Sequence, residues 1–194
     1  MESYQIIKNI IKEVIDLKEK VLNNEKIIND LNEIANIIIK AFKEGNRLYL
    51  CGNGGSAADA QHIAAEFTCK FKHLRNPLPA EALHVNTSYL TAVANDIGYE
   101  YSFSRYLEAF AKKGDILIAL STSCKSENVL NAVKTALKLN LLTIVFCGMD
   151  TSLIPNDVYK IISIPSNNTP RIQEIHITLL HIIAEITERY FLNN

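Results

Sequence analysis

Two periods of hydrophobic positions follow one another along this chain. Over the first 44 residues, Ile7, Ile10, Ile11, Val14, Leu17 and Val21 recur at helical spacing, with Lys and Glu between them. Ile27, Ile28, Leu31, Ile34, Ala35, Ile38 and Phe42 form a second such stripe. The spacing predicts two helices, parted at Asn23-Asn24 and stopped at Gly45-Asn46. From Arg47 the pattern changes to short β-rich runs at residues 48–51, 82–85, 116–120, 142–146 and 159–164. Helical stretches fall between and after them, at 56–71, 88–95, 101–111, 127–139 and 170–191, the last opening on Pro170, which suits a first helical turn. Strands alternating with helices predict an α/β domain: a three-layer sandwich with a central parallel five-stranded sheet, preceded by a helical hairpin.

Composition narrows the class. The length of 194 residues fits one domain, here residues 1–194, with 1–44 as the hairpin and 45–194 as the α/β core. With 48% hydrophobic and 21% charged residues, the chain has material for a buried core and is too apolar for disorder. Twenty basic against 21 acidic residues leave a net charge of −1, which provides no footprint for nucleic acid or anionic lipid. No apolar run approaches the ~18 residues of a membrane span, and Met1-Glu2-Ser3 lacks the basic start of a signal peptide, so the expected location is cytoplasmic. Cys51, Cys69, Cys124 and Cys147 form no CxxC pair and read as reduced thiols.

Three constellations carry candidate chemistry. The first is the turn Cys51-Gly52-Asn53-Gly54-Gly55-Ser56 after the first strand, running into a helix whose free N–H groups suit an anion. Its spacing is not GxGxxG, and Lys70, Lys72 and His73 stand where a ribose-binding acid would follow, which argues against a dinucleotide site. The second is Ser121-Thr122-Ser123-Cys124-Lys125-Ser126, hydroxyl-rich and placed between a strand end and a helix start, where a phosphate or a plain capped loop both fit. The third joins His62 with Glu66, four apart on one helix, and Gln173 with His181, eight apart on another. Each pair alone also reads as a surface contact or a core histidine, as His176 does.

Together these stretches, with Ala94-Asn95-Asp96 and Thr169-Pro170-Arg171-Ile172-Gln173 through His181, resemble the phosphoheptose isomerases of the sugar isomerase (SIS) domain family, in the family's order and over nearly the whole chain. The resemblance implies a flavodoxin-like sheet and isomerisation of sedoheptulose 7-phosphate to D-glycero-D-manno-heptose 7-phosphate for bacterial lipopolysaccharide or capsule. It implies substrate contacts by Asn53, Gly54, Gly55, Ser56, Glu66, Asn95, Asp96, Ser121, Thr122, Ser123, Ser126 and Gln173. It further implies zinc on His62, Glu66, Gln173 and His181, and a homotetramer with active sites between subunits. One residue departs: Cys124 stands where the family's loop usually has Gly, and at positive φ a Cβ costs on the order of 1 kcal/mol.

Aldose–ketose isomerisation needs a base, an acid on the oxygens and exclusion of water. Glu66 is the expected base and His181 its acid–base partner, with zinc polarising the oxygens. The rival readings are an isomerase of another sugar phosphate and a non-catalytic regulator of the same fold. Because the later helices look sufficient to cover the sheet, both hairpin stripes are expected to pair with another subunit.

Overall fold

The computed structural model describes residues 2–192. Helices α1 (Glu2–Leu22) and α2 (Glu25–Lys43) form the hairpin. Then follow β1 (Leu48–Gly52), α3 (Gly55–Thr68), β2 (Ala80–Ala82), α4 (Thr87–Asp96), a 3-10 turn (Tyr99–Tyr101) and α5 (Ser104–Phe110). The chain ends with β3 (Ile116–Ser121), α6 (Glu127–Lys138), β4 (Leu142–Cys147), β5 (Lys160–Ser163) and α7 (Thr169–Leu192). Asn24 opens α2 by accepting from the Ile27 N–H at 3.2 Å, and Asn86 opens α4 by accepting from Tyr89 at 3.0 Å.

All strand pairings are parallel, in the order β2-β1-β3-β4-β5. Alternate strand residues feed two cores. Leu48, Leu50, Ile116, Ile118, Leu120, Ile144 and Phe146 point to a layer made by α2, α3 and α7. Tyr49, Cys51, Leu117, Ala119, Val145 and Cys147 point to α5 and α6 on the other side. Three layers with both sheet faces covered are the outcome expected for strands apolar on both sides.

Two expectations are corrected. The second strand lies at Ala80–Ala82, not 82–85; the Leu83 N–H makes a last bond to the Leu50 carbonyl, Leu83 and Val85 lie past the strand's end, and the strand itself contains Glu81. The hairpin also divides. Ile34, Ala35 and Ile38 of α2 are fully buried against the chain's own sheet and α7, so α2 is a layer of the subunit. An isoleucine so buried contributes about 1.5–3 kcal/mol, which excludes α2 as a spare element. Only α1 leaves its stripe open: Ile6, Ile7, Ile10, Ile11 and Ile15 are each 44–56% exposed, and its burial is confined to Leu17 and Val21.

Candidate active site

In this strand order the connections from β1 and β3 leave the sheet on opposite faces, opening a crevice at the carboxyl ends of the two neighbouring strands. Both small-residue loops emerge there. They line a cavity of about 250 Å³ with Asn53, Gly54, Gly55, Ser56, Ser121, Thr122, Ser123, Ser126, Thr169 and Gln173. Three helices begin on it: α3 at Gly55, α6 just after Ser126, and α7 at Thr169. Neither Gly54 nor Ser126, the residues just before α3 and α6, caps its helix with a side chain; the Ser56 and Ala57 N–H groups turn back to the Asn53 carbonyl and that of Val129 to the Asn128 amide oxygen, while the helix dipoles add positive potential at the cavity. Hydroxyls and converging helix starts without an acidic side chain in the lining suit a phosphate dianion.

Backbone demands explain the glycines. Gly54 has φ +55, and a Cβ on Gly55 would lie 2.6 Å from the Gln173 amide oxygen. Asn53 is fixed by a reciprocal amide pair with buried Asn128, at 2.8 and 2.9 Å, and its Oδ1 also accepts from the Tyr99 hydroxyl at 3.0 Å. These bonds use the Asn53 carbonyl and one amide proton, leaving the other proton for a ligand.

Farther along the same two helices stand the ionisable groups. His62 Nε2 lies 3.1 Å from Glu66 Oε1, and the His62 and His181 rings meet edge to face at 5.0 Å between centroids. Nitrogen and oxygen atoms of His62, Glu66 and His181 all fall within 4.8 Å of one another. Burial lowers the pKa of His181, helped by His62 and opposed by Glu66, so its imidazole is held towards the neutral form. Two imidazoles and a carboxylate are a donor set that suits zinc with a position left open. Ligand atoms of a tetrahedral site at ~2.0–2.2 Å from the metal stand closer together than 4.8 Å, so small side-chain rotations would gather the trio on an ion.

Gln173 is placed differently. Its amide abuts Gly55 and reaches the Ser56 hydroxyl at 3.5 Å, so it belongs to the cavity wall. Eight residues of helix set it about 12 Å along α7 from His181. Asn95 and Asp96 bond to each other at 2.7 Å on the exposed end of α4. They do not line the cavity; Tyr99, three residues on, is what ties this segment to Asn53.

Sequence reasoning did not single out Asn128 or Tyr99, quoted Thr169 only as the start of a motif, and gave no role to Asp59. One turn before His62, the Asp59 carboxyl is pushed up to about 6 by burial, against the pull of His62, and its Oδ2 has no hydrogen-bond partner among the described residues. Cys124 takes a left-handed conformation of the kind that favours glycine, with φ +54. Its thiol turns inward, 3% exposed, to the Ser121 carbonyl and the Cys147 thiol.

Comparison with known proteins agrees with this architecture. The SIS domain family matches residues 10–148. The chain is 48% identical over 179 residues to a phosphoheptose isomerase of Clostridium acetobutylicum, covering 92% of this chain and 91% of that one. It is 44% identical over 179 residues to one from Mycobacterium tuberculosis, with the same coverages of 92% and 91%. The phosphoheptose isomerase structure from Francisella tularensis superposes with a TM-score of 0.90 at 29% identity, over 97% of this chain and all of that one. That from Neisseria gonorrhoeae superposes with 0.86 at 33% identity, over 96% and 98%. With a shared fold, near-complete coverage and this level of identity, the chain belongs to the phosphoheptose isomerase family of SIS domains.

Proposed function

We propose that this protein isomerises sedoheptulose 7-phosphate to D-glycero-D-manno-heptose 7-phosphate. The observation that carries the reading is one pair of helices bearing both halves of the chemistry. α3 and α7 begin at the hydroxyl-lined cavity and carry His62, Glu66 and His181 farther along. From Gly55 to His62 the helix rise is about 10 Å. A sugar whose phosphate and carbonyl sit at opposite ends of its carbon chain requires such a separation.

In this mechanism the cradle binds the phosphate, and the Asn53 amide orients the sugar. Glu66 takes a proton from C1 of the ketose while His181 supplies one to the carbonyl oxygen at C2, giving the enediol. Glu66 returns its proton to C2, and His181 removes one from the hydroxyl on C1, leaving the aldose with no net change in atoms. Neutral imidazole suits this shuttle, since it can donate from one nitrogen and accept at the other. Zinc on His62, Glu66 and His181 would supply Lewis-acid polarisation of the sugar oxygens, with Gln173 left at the cavity wall.

The open stripe of α1 supports a homotetramer with active sites between subunits, and closed symmetry favours it over an open chain. No described helix is long and apolar enough to cross a membrane. The reading extends to cytoplasmic synthesis of heptose for lipopolysaccharide or capsule. Retention of both Glu66 and His181 in one cluster favours an enzyme over a non-catalytic regulator of the same fold.

The test is incubation of the purified protein with five-, six- and seven-carbon ketose phosphates, followed by NMR of the products. Aldose should form from the seven-carbon substrate. Robust turnover of a shorter ketose with none of the seven-carbon one would overturn the substrate assignment.

A further inference from the structure

We propose that Glu188 is a positioning residue for this isomerase site: its buried carboxylate clamps the segment after α3, seating Phe71 against His181 and Arg75 against the backbone that carries Glu66. Residues 69–79 join α3 to β2 without helix or strand, and Leu74 within them is 85% exposed. Pro77 and Pro79 stiffen the end of the segment, but residues 71–73 carry no such local constraint. The path is set from α7. Glu188, only 1% exposed, accepts three consecutive backbone N–H groups, from Phe71 at 2.9 Å, Lys72 at 2.8 Å and His73 at 3.2 Å.

Arg75 completes the clamp. Its Nε lies 3.7 Å from Glu188, with both side chains 2% exposed. Its two terminal nitrogens donate to the carbonyl of Glu66 at 2.8 Å and to that of Phe67 at 2.8 Å, closing the last turn of α3. The Phe71 ring then lies 5.5 Å from the His181 ring. Two of the groups assigned to proton transfer are therefore tied to one buried carboxylate, one through the backbone and one through an aromatic wall. A buried carboxylate is costly unless it is paired and fully bonded. Here burial raises the Glu188 pKa, but the three backbone donors and Arg75 outweigh it and keep the group ionised. Lys72 adds an outer tie to Glu185 at 2.7 Å, on the same helix.

The proposal rests on the reading that Glu66 and His181 perform the chemistry. It is tested with the full chain by Glu188→Gln, which keeps the shape but loses the charge and one acceptor. Hydrogen exchange read by mass spectrometry should show faster exchange at residues 71–73, with α3 and α7 still protected. On the seven-carbon ketose phosphate, kcat should fall on the order of 10²-fold, as for a displaced catalytic group, with KM little changed. Phe71→Ala, which leaves the clamp intact, should reproduce part of the kcat loss, and Phe71→Tyr should restore it. These two variants decide the matter if Glu188→Gln does not fold. A released segment with unchanged kcat would overturn the proposal, as would a raised KM with normal kcat, or a Phe71→Ala enzyme with full kcat. A wild-type enzyme inert on the substrate would instead sink the assigned reaction, and this role with it.

Discussion

Replacing Cys124 in two ways separates backbone strain from burial in the phosphate loop. An L-residue in the left-handed region costs about 1–2 kcal/mol, and Cys124 sits there with φ +54. Against this stand a buried thiol and its contacts to the Ser121 carbonyl, at 3.5 Å, and to Cys147, together worth about 1 kcal/mol. Cys124→Ala loses the thiol and keeps the strain, so it should destabilise by about 1 kcal/mol. Cys124→Gly also loses a methylene, worth ~0.8 kcal/mol, but relieves the strain, so it should fall close to wild type. The expected order is Gly above Ala by about 0.2–1.2 kcal/mol, the reverse of what burial alone dictates. For a chain of this size that is up to roughly 4 °C in Tm, measured at matched protein concentration. KM should stay near wild type in both variants, because Ser121, Thr122, Ser123 and Ser126 keep their hydroxyls. An alanine variant as stable as the glycine variant would refute the strain argument.

Further outcomes follow from the same geometry. Glu66→Gln should retain the fold by circular dichroism and lose roughly 10²-fold or more in kcat; near-normal turnover would remove Glu66 as the base. His62→Ala should lower bound zinc, measured by mass spectrometry after mild purification; a metal-free wild type fully active in chelator would confine the trio to acid–base work. His176 is buried and held down to about 4, so the unfolded chain binds its proton first as pH falls below 6.5. His176 should therefore take about 3 kcal/mol from stability between pH 6.5 and 4, opposed by Asp59, whose raised carboxyl binds its proton first in the folded state, and His176→Gln should remove that loss in urea titrations. Removing residues 1–23 should leave a folded monomer by light scattering, because α2 stays in the core; an intact tetramer would free α1 from assembly.

Much of the fold was legible because its signals are local. β3 and β4 are apolar apart from Ser121 and Thr143, as strands covered on both faces are, and all their residues but Leu142 are buried. β2 was misplaced because Ala80-Glu81-Ala82 carries no β-branched residue, while Leu83 and Val85 mimic a strand just past its end. The hairpin was misread for a different reason. Period identifies an apolar face but not what covers it, and α1 and α2 have similar stripes with opposite fates. In the site, the glycine and hydroxyl loops announce themselves by composition. Asn128 and Tyr99 do not, since each reaches Asn53 from elsewhere in the chain.

The pairing of α3 with α7 explains why one sequence motif could not reveal the site. Gly55 meets Gln173 at their starts, and His62 meets His181 farther on, so the two helices run side by side in the same direction. Each contributes an N-terminal end to the anion cavity and an imidazole to the cluster, and neither set is complete on one helix. The distance between phosphate anchor and reacting groups is then fixed by helix rise, a rigid quantity of about 1.5 Å per residue, instead of by loop conformation. Loops supply only the small residues that let a phosphate approach. Sequence variation in the loops, such as Cys124, can thus alter the cradle while the spacing on which the proposed reaction depends stays with the helices.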